Sequence, residues 1–204
     1  MGTILSTALD AGLYGVAAMA WTQKFYMADP HFGHQLMIDK MRDTRPFATV
    51  RGMDDAIIEA TNERVAKTDI LYIIGDFAVA KDENYVAQVF RRLNGRKILI
   101  IGNHDVDDKG DLKPSLAKLE WDQPPVFSMQ TSDEGQRLFL AHYAHRAWPG
   151  QHKEAWHFYG HSHGRIPHMG RSRDVGIDCA DIGLGPQTFR ELTARYQSEE
   201  GGWA

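Results

Sequence analysis

The run Ile98-Leu99-Ile100-Ile101-Gly102-Asn103-His104-Asp105 decides how this chain folds. Its first half is short, apolar and β-branched, as a buried strand is. Its second half stops that strand in Gly-Asn-His-Asp, where glycine permits a tight turn and three polar side chains follow at once. Polar side chains this close behind a buried strand sit in the crevice at its carboxyl end, where α/β sheets place ligands. Asn offers a carbonyl oxygen to a metal, and His exchanges a proton near neutral pH. By itself the tetrapeptide is a common turn, and its meaning depends on the rest of the chain.

Working outward, the same design recurs. Lys24-Phe25-Tyr26-Met27-Ala28 reads as a first strand delivering Asp29-Pro30-His31-Phe32-Gly33-His34. In an extended Asp-x-His both side chains lie on one side of the strand, which would point a carboxylate and an imidazole at one cation. A short helix over His34–Met41 follows, then an irregular link through Arg45. Met53, Ile57, Ala60 and Val65 recur at helical spacing, with Asp54 and Asp55 suited to the first turn. Ile70–Ile74 is a second buried strand, ending in Gly75-Asp76. Tyr85, Val86, Val89, Phe90 and Leu93 mark another helix, stopped by Gly95. Strand, helix, strand, helix, strand predicts a largely parallel α/β arrangement.

Beyond His104 the pattern changes. Leu112–Leu119 reads as a short helix and Val126–Gln130 as a strand, and Asp133-Glu134-Gly135 turns into a strand ending at His142. Trp156–Tyr159 leads into Gly160-His161-Ser162-His163, and Arg173–Asp178 reads as one more strand. This half is expected to be richer in hairpins and to form a second sheet packed on the first.

Composition narrows the options. The chain has 204 residues, 43% hydrophobic and 25% charged, with a formal net charge of -4. That describes a globular protein with a sizeable core and argues against holding nucleic acid by bulk charge. The single cysteine, Cys179, excludes an internal disulfide framework and fits a reducing cytoplasm. Residues 1–20 carry an apolar stretch interrupted by Ser6, Thr7 and Asp10, with no Lys or Arg ahead of it, unlike a secretory signal. They are expected to be a leader or peripheral segment ahead of one domain spanning 21–204. No membrane partner is expected.

Taken in order, the strand ends supply Asp29-x-His31, Gly75-Asp76, Gly102-Asn103-His104-Asp105, His142 and Gly160-His161-x-His163. Each has an ordinary explanation alone; five in this order resemble the calcineurin-like metallophosphoesterase superfamily, over about Phe25 to Asp178. The resemblance implies a two-sheet α/β/β/α sandwich. It implies one cation on Asp29, His31, Asp76 and His163, and a second on Asp76, Asn103, His142 and His161, with Asp76 bridging. Oxygen and imidazole donors without thiolate suit Mn, Fe, Co, Ni or Zn, with manganese favoured. In this family a metal-activated water attacks phosphorus, and His104 would assist the leaving oxygen.

Some positions depart from the family or lie beyond its motifs. The protein-phosphatase branch has Gly-Asp-x-x-Asp-Arg-Gly, where this chain has Gly75-Asp76-Phe77-Ala78-Val79-Ala80. The Asp that steadies the catalytic His there is absent, and what orients His104 is left open, Asp105 being adjacent. His34 and Arg165 are candidates to touch the substrate phosphate. Arg45, Arg171 and Arg173 read as solvated surface residues. Tyr143, Trp148, Trp156 and Tyr159 are aromatic residues that either stack a base or pack the core. With no phosphatase motif and no large cap, small phosphodiesters or nucleotides are the expected substrates. The alternatives are phosphomonoesters, a nuclease activity, or a non-catalytic metal-binding scaffold. No stable nucleic-acid complex is expected.

Overall fold

A computed structural model describes residues 22–194. The expectation for residues 1–20 lies outside the described residues. The three apolar runs form β1 (Lys24–Met27), β2 (Ile70–Ile74) and β3 (Arg96–Ile100). They pair in parallel in the order β3-β2-β1, and β8 (Gln187–Thr188) adds antiparallel to β1. Parallel pairing needs crossovers. Helices α1 (Gln35–Lys40) and α2 (Val50–Asn62) carry the first, and α3 (Glu83–Arg92) the second.

The strands are apolar throughout because both faces of this sheet are covered. Phe25, Met27, Leu71, Ile73 and Leu99 pack with Met53, Ile57, Val86, Val89 and Phe90 from the helices. The alternate residues Tyr26, Tyr72, Ile74, Ile98 and Ile100 meet Leu138, Leu140, Trp156 and Phe158 of the second sheet. Burying each of these large side chains stabilises the fold by about 1.5–3 kcal/mol. Helix α2 begins one turn earlier than the acidic pair suggests, because Thr49 caps it by accepting the Gly52 N–H. Asp54 therefore falls inside the helix and is buried, where it accepts the Gly33 N–H at 2.8 Å and the Tyr85 hydroxyl.

The second sheet runs β4 (Ser128–Asp133), β5 (Gln136–Ala141), β6 (Trp156–Tyr159), β7 (Ser172–Asp174). Its first two strands form the expected hairpin, turning on Glu134-Gly135 with φ of 46° and 77°, the positive values a two-residue hairpin loop needs. The remaining pairings, β5–β6 and β6–β7, are parallel, so the hairpin expectation holds for one pairing of three. Long excursions over 142–155 and 160–171 return the chain to start each new strand in the same direction. Phe139, Ala141, Trp148 and Ala155 pack together on the outer face of this sheet. Among the described residues α4 is one turn, Pro114–Ala117, and α5 (Phe189–Thr193) starts at a Thr188–Glu191 capping box.

Two seams join the sheets. Ile101 N–H donates to Val126 O at 2.8 Å, and Ala28 N–H donates to Val175 O at 3.1 Å. The α/β two-sheet sandwich expected from the sequence is therefore the fold of this chain. It brings the carboxyl ends of β1, β2, β3, β5 and β6 to one crevice. No helix among the described residues is long and apolar enough to cross a membrane.

Candidate metal centre

Where β1, β2 and β6 stop, the backbone leaves ordinary geometry. Asp29, His31, Asp76, His161 and His163 have φ between 49° and 64°. That left-handed region is costly for residues with a side chain and persists only when the surroundings enforce it. The other described non-glycine residues with positive φ are Glu134 and Glu154, both in turns, so this conformation concentrates at the candidate ligands. It also corrects the reading of Asp-x-His. Asp29 and His31 do converge, but through a left-handed backbone beyond the end of β1, not through strand alternation.

The glycines of the motifs have a steric reason. A Cβ on Gly75 would lie 2.1 Å from His142 Nδ1, and one on Gly102 would lie 2.3 Å from Asp76 Oδ1. Only hydrogen fits between these backbones and the neighbouring side chains.

His31 Nε2 lies 3.4 Å from Asp76 Oδ2 and 4.0 Å from Asp29 Oδ1. His142 Nε2 lies 3.4 Å from the same Asp76 oxygen and 3.0 Å from Asn103 Oδ1. His161 Nδ1 is 2.9 Å from Asn103 Oδ1. Three overlapping groups have donor atoms within 4.8 Å of one another: Asp29–His31–His163, His31–Asp76–His104 and Asp76–His142–His161. All seven sequence-predicted ligands thus meet in one crevice, with Asp76 shared between two of the groups. His31 Nε2 is buried and has no hydrogen-bond partner. A buried polar atom left unsatisfied is costly. Here it faces two carboxylates, a donor set suited to a divalent cation, so the residues fit a metal.

Imidazole orientation is fixed from outside the cluster. His142 Nδ1–H donates to Ile74 O at 3.0 Å, turning Nε2 inward. His163 Nδ1–H donates to Asp178 Oδ2 at 2.7 Å, which leaves Nε2 for the crevice. Asp178 is held in turn by Arg45, which also donates to Asp29 O at 2.6 Å and Pro30 O at 2.9 Å. Asp174 accepts the Ser162 hydroxyl at 2.5 Å and the N–H groups of Gly164 and Gly176, which shapes the His161–His163 loop. Asp105 accepts the N–H groups of Gly102, Asp76 and Phe77, each at 2.8 Å. Its buried carboxylate therefore braces two loops and does not orient the His104 ring. Lys113 reaches the same loop, its ammonium donating to His104 O at 2.5 Å.

The electrostatics match this crowding. Burial pushes Asp29 up to about 7, against the pull of His142 and His163. Burial drives His31 down to about 2, so its imidazole is neutral with a lone pair to offer. Asp76 is pulled upward by burial, but the hydrogen bond and charge of His142 hold it at about 2. Carboxylates packed into a dry crevice need positive charge beside them.

The tentative substrate residues divide. His34 belongs to the crevice, its Nδ1 3.3 Å from His31 Nδ1 and its ring 5.7 Å from that of His104. Arg165 is exposed and reaches Met41 Sδ at 3.2 Å, beside the first helix. Two of the arginines read as surface residues are buried instead. Arg45 lies behind the ligands, and Arg173 donates to Leu192 O at 2.7 Å and to Asp181 at 3.0 Å. Charged groups this deep require partners, and the carboxylate that serves Arg45 lies 133 positions away while that of Arg173 lies eight away. His145 and His157 pack on Phe139 at the outer face of the second sheet. In sequence Asp174 and Asp178 stand only as part of an expected strand. Their signal is acidic residues alternating with the buried Val175 and Ile177.

No family model matches the chain. MJ1445, an uncharacterized protein of Methanocaldococcus jannaschii, is 33% identical over 88 residues, 43% of this chain. The match covers 49% of that protein, so the chain spans about half the length of the curated relative it matches. Among solved structures, AQ665 of Aquifex aeolicus, a protein of unknown function, has a TM-score of 0.63 at 22% identity. That likeness covers 85% of this chain and 99% of the other, and is one of fold. YfcE, a phosphoesterase of E. coli, has a TM-score of 0.42 at 15% identity over 82% of each chain, too low to carry weight here.

Proposed function

We propose that this chain, which has the fold expected of calcineurin-like metallophosphoesterases, is a metal-dependent phosphoesterase acting on small phosphodiesters or nucleotides. The observation that carries the reading is the buried, partnerless Nε2 of His31 between the carboxylates of Asp29 and Asp76. Asp29, His31, Asp76 and His163 would hold one divalent cation, and Asp76, Asn103, His142 and His161 a second. Such a pair, with manganese favoured, supplies charge to a phosphoryl group and lowers the pKa of a water nucleophile.

The chain's own residues do the rest. His104 is half-buried, its ring 5.1 Å from that of His31, and Lys113 anchors its backbone. It donates a proton to the departing ester oxygen. His34, next to it, binds a non-bridging phosphate oxygen, and Arg165 approaches from the His163 loop with a planar fork matched to phosphate. The preformed left-handed loops hold the ligands in place ahead of the reaction, so little reorganisation is needed when it occurs. The free, buried Cys179 accords with a cytoplasmic setting.

The test is hydrolysis by chelator-stripped protein given back single divalent metals. Bis(p-nitrophenyl) phosphate should be cleaved with manganese and spared without metal. No cleavage of any phosphoester with Mn, Fe, Co, Ni or Zn would leave the scaffold alternative standing.

A further inference from the structure

The sequence holds four aromatic residues suited either to stack a base or to pack the core. The structure separates them. Trp148, Trp156 and Tyr159 are buried, whereas Tyr143 is 50% exposed. Its ring lies 4.6 Å from that of His161 and 5.3 Å from that of His142, edge-on to both. An open aromatic surface thus adjoins two candidate ligands.

Four other large apolar side chains are exposed. Among the described residues they are Leu36, Phe127, Ile166 and Met169. Leu36 lies two positions after His34, and Ile166 and Met169 follow His163. Phe127, 63% exposed, follows Val126, which bridges Ile100, and precedes Ser128, which pairs with Ala141. Its backbone therefore lies between the ends of β3 and β5, which lead to Asn103 and His142.

We infer that Tyr143, with Phe127 beside the same strand ends, is a specificity-determining residue that stacks the base of a nucleoside phosphoester. This rests on the phosphoesterase reading and narrows its substrate class. A lipid surface or a protein partner wants a contiguous apolar patch. Here Tyr143 stands beside an imidazole-rich centre and Phe127 by the strand ends that lead to it, which suits a small ligand with a phosphate at the centre and a planar group at the rim. Phenol and benzene rings stack any base through its π-face.

The experiment compares two inhibitors of the manganese-loaded full chain, a nucleoside 5′-monophosphate and ribose 5-phosphate. They share phosphate and sugar and differ only in the base. Stacking predicts that the nucleotide binds roughly fivefold to a hundredfold more tightly. Tyr143→Ala should abolish that ratio and leave the ribose 5-phosphate constant and the metal content unchanged, while Tyr143→Phe keeps the ratio. Equal inhibition by both compounds, or a ratio indifferent to Tyr143→Ala, would overturn the inference while hydrolysis of a simple diester left the phosphoesterase reading intact. A change of oligomeric state in Tyr143→Ala with no change in the ratio would give this surface to a second copy and equally overturn it. Failure of either compound to bind a protein that also hydrolyses nothing would defeat both readings together.

Discussion

Arg45 donates to both carboxylate oxygens of Asp178, Nε to Oδ1 at 2.9 Å and Nη2 to Oδ2 at 2.6 Å, and both side chains are wholly buried. The same Oδ2 accepts from His163, while Arg45 holds the carbonyls of Asp29 and Pro30. One ion pair therefore ties the first ligand loop to the last, across 133 positions of sequence. Removing one partner strands a buried charge, which typically costs about 3–5 kcal/mol. Arg45→Met should lower stability by about that amount, read from chemical denaturation. Asp178→Asn should weaken the cation proposed on Asp29, His31, Asp76 and His163 about 10–100-fold, read by calorimetry. Wild-type stability and affinity in both variants would show the pair to be incidental.

Gly75 tests the close approach. A methyl group there would meet the His142 ring, and its φ of 87° already strains any other residue. Gly75→Ala should displace His142 and reduce metal content while the circular dichroism spectrum stays native. Full metal content in this variant would mean that the loop yields at little cost.

A pH dependence follows from a histidine outside the crevice. His157 is buried, which drives it down to about 4 from an ordinary value of 6.5, although its Nδ1–H donates to Phe139 O at 3.2 Å. Below pH 6.5 the unfolded chain takes up a proton here that the folded chain refuses until about pH 4. Stability is thus complete above pH 6.5 and declines as pH falls toward 4, by up to about 3 kcal/mol. Urea midpoints should fall less steeply with acid in His157→Gln than in the wild type. Parallel slopes would count against this linkage.

His104 separates chemistry from binding. As a proton donor that holds no metal, it should be replaceable by alanine with both ions retained and turnover lowered about 10²–10⁴-fold. The loss should shrink for a nitrophenyl ester, whose leaving group needs little protonation. A ring nitrogen of His104 lies within 4.8 Å of donor atoms of His31 and Asp76, so the metal content of His104→Ala is decisive. A lost ion would make His104 a ligand.

The candidate ligand motifs are legible because each interrupts a buried apolar run with polar residues, three of the five at a glycine. Local sequence records that kind of transition. What it does not record is long-range pairing. Arg45 reads as a surface arginine because its carboxylate comes from Asp178, and the adjacency of Asp105 to His104 leaves the role of Asp105 open. In fact its acceptors serve Asp76, Phe77 and Gly102. The convergence of Asp29 and His31 was expected for the wrong reason, since left-handed φ at non-glycine residues has no sequence signature. The strand at Gln187–Thr188 and the helix at Phe189–Thr193 went unread because two and five residues are too short to show a period. Parallel pairing of β5 with β6 depended on where a long loop returns, which no local pattern specifies.

The central claim is a two-cation centre bridged by Asp76, and the number of ions bound per chain tests it most directly. Metal-stripped protein reloaded with manganese and freed of excess should retain close to two ions by elemental analysis. Asp76→Asn should lose affinity at both sites, because a neutral amide is a weaker bridge. Saturation at one ion, unaffected when Asn103 or His161 is replaced by alanine, would contradict the account.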